Sequence, residues 1–168
     1  VSIVMPRVNT NIDSVVLFST NVNIADNTPQ TLHLTDTAAN MKSVLVRNNI
    51  NNIADGMCRF NFVHLMPNVP AVDLYLNGVL MRANIPYLGT SGAMDIPVGI
   101  NAPGFVAGAS TTWAVRAAGA TSTSAALVSF ASASGLISGG ALTGFCMGYS
   151  GATGARLPFL AMTLDKNQ

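Results

Sequence analysis

Glutamate is missing altogether from this chain of 168 residues, and charge of either sign is scarce: 7 aspartates stand against 8 lysines and arginines, for a net charge of +1. Charged residues make up 9% of the chain, where an average soluble domain carries roughly 25%. With no Glu, general acid or base work would fall on His33, His64 or the aspartates 13, 26, 36, 55, 73, 95 and 165, and none of these stands at a recognised catalytic spacing. Serines are plentiful, but there is no Gly-x-Ser-x-Gly elbow to mark one as a nucleophile. Enzymatic activity is therefore not expected. The basic residues Arg7, Lys42, Arg47, Arg59, Arg82, Arg116 and Arg156 are scattered, whereas nucleic-acid binding needs a concentrated basic face. No nucleic-acid partner is expected.

Long apolar runs are also missing. Polar residues break every stretch well before the ~20 residues of a membrane-spanning helix, so no span is expected. The chain starts at Val1 without a charged segment followed by an apolar stretch, so any secretion signal is expected to be gone already. The Asp-containing loops NIADN and LTDTAAN lack the graded oxygen spacing of an EF-hand, and neither metal nor cofactor is expected. Cysteine is limited to Cys58 and Cys146, too far apart for a redox pair or a zinc set. They are either a disulfide in an oxidising compartment or two buried thiols acting as small apolar residues.

What is present is apolar and built for strands. Hydrophobic residues supply 49% of the chain, which argues for a packed core and against disorder. Short apolar or alternating segments bounded by Asn, Asp, Gly, Pro and Ser recur throughout, the pattern of an all-β sandwich. Strands are expected at residues 15–19, 30–35, 43–46, 57–67, 72–76, 93–96, 112–116, 126–130, 142–149 and 157–164. In MCRFNFVHLMP, alternation places Cys58, Phe60, Phe62 and His64 on one face and Arg59, Asn61 and Val63 on the other. Asn77-Gly78 is the strongest hairpin signal, because both residues tolerate positive φ. The run NNINNIADG has the composition of a connection. The chain accordingly divides into residues 1–50, a partial sandwich to be completed by other strands, a linker at 51–56, and a complete sandwich domain at 57–168.

Residues 59–99, RFNFVHLMPNVPAVDLYLNGVLMRANIPYLGTSGAMDIPVG, resemble the opening of the bacterial family catalogued as domain of unknown function 4397. The phrases that carry the resemblance are Val63-His64, Pro70-Ala71-Val72-Asp73, Tyr75, Asn77-Gly78, Tyr87-Leu88-Gly89 and Pro97-Val98-Gly99, in that order. The uncharged insert at residues 100–110 and the Ala/Ser/Gly-rich second half depart from the pattern. Residues 15–48 resemble the closing half of the same domain, comparable with residues 127–165. The resemblance implies a secreted, immunoglobulin-like antiparallel β-sandwich, with His64, Pro70, Val72, Asp73, Tyr75, Asn77 and Gly78 as signature residues of structural kind.

Each singled-out side chain has a plain structural reading beside any functional one. His64 at a strand end is expected to be a hydrogen-bonded packing residue in preference to a ligand or pH switch. Asp73, between apolar neighbours, is expected to point outward or bond a turn. Tyr75, Tyr87, Trp113 and Tyr149 would make a sugar-stacking platform only if they emerged together, and core or interface roles are the stronger expectation. A half sandwich exposes an apolar face and open strand edges that something must cover, and weak surface charge offers little repulsion between copies. The expected function is a non-enzymatic structural subunit of an extracellular or cell-surface assembly, a homo-oligomer or fibre held by strand contacts. An adhesin or glycan-binding module and a viral capsid protein are the alternatives.

Overall fold

The computed structural model describes residues 1–6, 14–98, 111–132 and 136–166. Arg7, Asp13, Gly99 and the insert at residues 100–110 lie outside them. The architecture is all-β, as the sequence pattern requires. Four strands come first: β1 (Ser2–Pro6), β2 (Ser14–Ser19), β3 (Gln30–Thr35) and β4 (Lys42–Arg47). Eight more follow: β5 (Met57–Leu65), β6 (Ala71–Leu76), β7 (Val79–Pro86), β8 (Met94–Pro97), β9 (Thr111–Ala117), β10 (Val128–Ser132), β11 (Ala141–Met147) and β12 (Phe159–Lys166).

The last eight strands build a sandwich of two four-stranded sheets, ordered β10-β9-β6-β7 and β12-β11-β5-β8. All pairs are antiparallel except β5 with β11, which run parallel with Asn61 opposite Thr143 and Val63 opposite Phe145. This order differs from the immunoglobulin arrangement, in which the first two strands lie in one sheet. Here β5 and β6 fall in opposite sheets, and β5 takes a central place between β8 and β11.

Alternation in β5 sends Cys58, Phe60, Phe62 and His64 inward, where all four are fully buried. Phe60 stacks on Trp113 with ring centroids 4.0 Å apart, joining the two sheets. Around them pack Met66, Val69, Val72, Leu74, Leu76, Ile85, Ile96, Val115, Cys146 and Leu160. Gly144 in β11 is required by this stack: a Cβ there would lie 2.6 Å from Cζ of Phe60. The β6–β7 hairpin turns on Asn77 and Gly78 at φ of 49° and 81°, the left-handed pair that a two-residue hairpin of matching twist demands.

The first four strands pair among themselves. They form two separate two-stranded sheets, β1-β2 and β3-β4. The β3–β4 hairpin lies against the outer face of β5 and β11, where Val46, Val63 and Leu65 are buried with Val44, Leu88, Phe145 and Met147 around them. The neighbouring sandwich of the same chain is therefore what covers the apolar side of this hairpin. The β1–β2 hairpin leaves more of itself in the open: its cross-strand pair Val4 and Val16 is 50% and 59% exposed.

Candidate functional site

The segment from β5 through β7 carries most of the sequence signature, and its polar groups are spent on the fold. His64 sits at the inner end of β5. Its Nε2 donates to the carbonyl of Val69 at 2.9 Å, which leaves Nδ1 as acceptor for the Met66 amide at 3.4 Å and the Cys146 thiol at 3.5 Å. The imidazole thus clamps the turn between β5 and β6. Burial pushes its pKa down, since the charged form would lose its hydration.

The contact of Cys146 with His64 has the composition of a nucleophilic pair and none of its electrostatics. Cys146 is fully buried, and burial pushes its thiol up to about 12. A reactive cysteine needs an electropositive, partly exposed setting that lowers its pKa. Both partners are neutral here, and the sulfur does the work of a small apolar side chain. Cys58 is likewise buried, with its thiol pushed up by burial.

No disulfide joins the two cysteines; both are free. They do lie on adjacent strands, but the register sets Cys146 beside His64, six positions along β5 from Cys58. At a rise of ~3.3 Å per residue this separates them by about 20 Å, well beyond the ~7 Å limit for Cα atoms of a disulfide. Of the two readings open from the sequence, two buried thiols is the one realised.

Asp73 takes the turn-bonding role of the two expected for it. It points inward and is 3% exposed. One carboxylate oxygen accepts from the amide of Asn84 at 2.7 Å and the other from Gly119 at 2.9 Å. Asn84 has a positive φ of 55°, so the carboxylate secures an irregular step in β7 as well as the turn after β9. Tyr75 is buried and donates to the carbonyl of Ala120 at 3.0 Å, with the Arg116 guanidinium 5.3 Å over its ring. Asn77 accepts from the Thr112 amide at 2.8 Å, fastening the hairpin tip to β9. Val72 is buried in the core, while the exposed Pro70 offers its carbonyl to Tyr87 N at 3.0 Å.

An aromatic platform is not assembled. Trp113 and Tyr75 are buried, and Tyr87 is edge-on to the His64 ring. Tyr149 lies apart, donating to Asp36 at 2.5 Å with Arg156 over its ring. That hydrogen bond holds the Asp36 carboxyl below its usual range and raises the phenol.

Sequence reasoning missed the groups that fasten the first strands to the sandwich. Asn48 donates to Asp165 at 2.8 Å, and Thr143 donates to the other oxygen of the same carboxylate at 2.6 Å. Thr35 donates to the carbonyl of Leu65 at 2.6 Å. Arg59 holds Asp95 through two hydrogen bonds of 2.7 and 2.8 Å, which depresses the carboxyl pKa. Asn48, Arg59, Thr143 and Asp165 border a cleft of about 270 Å³ between the β3–β4 hairpin and the sandwich. No local spacing announces such pairs, because their members lie far apart in the chain.

Among the described residues, no group of three or more His, Cys, Asp or Glu is placed to hold a metal ion, and no helix is long and apolar enough to cross a membrane. Residues 2–75 match the family model described as "Domain of unknown function (DUF4397)", the family that the signature phrases resemble. The match runs from β1 into β6. No curated protein matches the chain.

Proposed function

We propose that this chain is a non-enzymatic structural subunit of an extracellular or cell-surface assembly, and that copies associate through β-strand contacts into a homo-oligomer or fibre. The observation that carries this reading is the β1–β2 hairpin, whose strands pair with each other and leave Val4 and Val16 exposed. A two-stranded hairpin is marginal in water by itself, and unpaired, uncharged edges are templates for pairing with another chain. Neither β1, SIVMP, nor β2, SVVLFS, contains a charged residue, and their exposed valines add an apolar face. Two edges of the sandwich carry protection: β7 has Arg82 and ends in Pro86, and β8 has only four residues including Asp95 and Pro97. A net charge of +1 opposes self-association weakly.

Sedimentation of the purified chain across a wide concentration range, followed by negative-stain imaging, tests the reading. Discrete oligomers or unbranched fibres that grow with concentration are expected. A chain that stays monomeric at the highest concentration overturns it. Closed shells enclosing nucleic acid would replace it with a capsid role.

A further inference from the structure

The β3–β4 hairpin meets the sandwich along a seam separate from the main core. The main core draws all its buried members from residues 60–160, so among the described residues the sandwich interior is complete without this hairpin. The seam between them buries Val46, Val63 and Leu65 and adds the hydrogen bonds of Thr35, Asn48 and Asp36 already described. Against this stand polar atoms buried at or beside the seam without a partner: both amide atoms of Gln30, Nε2 of His33 and Oδ1 of Asn48. Each such orphan is desolvated with no hydrogen bond in return. Elements held on these terms open locally well before the whole molecule unfolds.

We propose that the outer face of β5 and β11 is a docking surface for the β3–β4 hairpin of a second copy, so that copies associate by exchanging this hairpin. The proposal rests on the self-association reading above and gives it a surface and a partner. Every specific contact at the seam runs from the hairpin to the sandwich: Thr35 to Leu65, Asn48 to Asp165, Asp36 to Tyr149, and the His33 ring against Phe145 at 5.3 Å. A second copy restores each of them unchanged, so exchange alters only how the chain is connected, and that is the low-cost route to dimers known as swapping. The connection is suited to it. Residues 48–56, NNINNIADG, are poor in apolar side chains, and Asn52 and Gly56 already have positive φ. Two chains that swap reciprocally close into a dimer, whereas head-to-tail donation continues into a filament.

The test uses Arg47→Cys and Thr90→Cys, two exposed positions lining the same cleft across the seam. The native thiols are buried and stay silent. In the doubly substituted chain, a short bis-maleimide is expected to link hairpin to sandwich within one molecule at low concentration. The two single variants, one carrying a mass tag, are then mixed at high concentration, diluted and treated with the same reagent. A covalent dimer of one chain of each kind, growing with the concentration of mixing, is the expected result. Asp36→Cys with Tyr149→Cys, on the opposite side of the hairpin, should give the same product. If sedimentation shows association but neither pair gives the mixed dimer, exchange is wrong and self-association uses another surface. If the chains stay monomeric and link only within the doubly substituted molecule, both the exchange and the assembly reading fall.

Discussion

The sandwich of β5 to β12 and the hairpins before it are made of similar residues and held by different means. In the sandwich, a stacked Phe60–Trp113 pair joins the two sheets, and the buried polar groups His64 and Asp73 have partners on both sides, while Nε1 of Trp113 and Nε of Arg116 are buried without one. In the β3–β4 hairpin one face is covered by a small cluster, and Gln30, His33 and Asn48 keep buried atoms without partners. The β1–β2 hairpin exposes its valines. A strand's stability comes from what its faces and edges meet, and these two regions meet very different amounts.

The largest effect comes from removing the stack. Trp113→Ala or Phe60→Ala should destabilise the whole sandwich by about 3–5 kcal/mol, as expected when a large buried aromatic leaves a cavity. Denaturant unfolding followed by thiol labelling would read it, because Cys58 and Cys146 react only when the core opens. Loss of stability confined to the hairpins would contradict the separation between the regions. Gly144→Ala tests the same stack from the opposite direction: the added methyl has no room beside Phe60 and should cost about 1–3 kcal/mol by overpacking.

Next comes Asp73→Ala, which strands the amides of Asn84 and Gly119. About 3 kcal/mol is expected, since two buried donors lose a charged acceptor. Faster amide exchange should be centred on β7 and the turn after β9. Asp73→Asn keeps the shape and one acceptor oxygen and should recover part of the loss. Equal stability of all three chains would show that the carboxylate is not the clasp described above.

Much of this arrangement is legible in the sequence because it is local. Alternation in MCRFNFVHLMP assigns both faces of β5, and Asn77-Gly78 marks the β6–β7 turn, since each depends on neighbours in the chain. For Asp73 a turn-bonding role is legible, because a carboxylate among apolar residues needs partners, but the partners Asn84 and Gly119 lie in other elements and are not. The strand β1 went unread, and β7 showed only its first residues, because Arg82, Asn84 and Pro86 break its pattern. The parallel pairing of β5 with β11 depends on residues some 80 positions apart, such as Val63 with Phe145, and the landing place of the β3–β4 hairpin on contacts between separate elements, from Thr35 with Leu65 to Asn48 with Asp165. Alternation sends a side chain to one face or the other without saying which strand will be its neighbour.

The hairpin can be weakened alone. Val46→Ala removes two methyl groups from the seam and should cost about 1–2 kcal/mol of docking, at ~0.8 kcal/mol per buried carbon. Amide exchange should speed up in β3 and β4 while β5, β6 and β9 keep their protection. The same variant should raise the yield of mixed cross-linked dimer, because a hairpin less firmly held by its own chain is freer to exchange. If protection fell equally in all strands, hairpin and sandwich would form one cooperative unit.

The mildest perturbation is acid. His33 lies in β3 opposite Val44 with Nε2 unpaired, and burial lowers its pKa, partly offset by the charge of Asp165. Because the docked imidazole resists protonation more than a free one, protons bind preferentially to the undocked state. Docking is therefore strongest above the ordinary histidine pKa of about 6.5, and weakens as pH falls through that value toward the depressed one. His64 responds in the same direction from inside the sandwich, so the two must be separated by position. Exchange at β3–β4 should rise on mild acidification before that of β5, and His33→Phe should remove the early step while leaving the later one. A pH profile unchanged by His33→Phe would place the acid-sensitive group in the core and not at the seam.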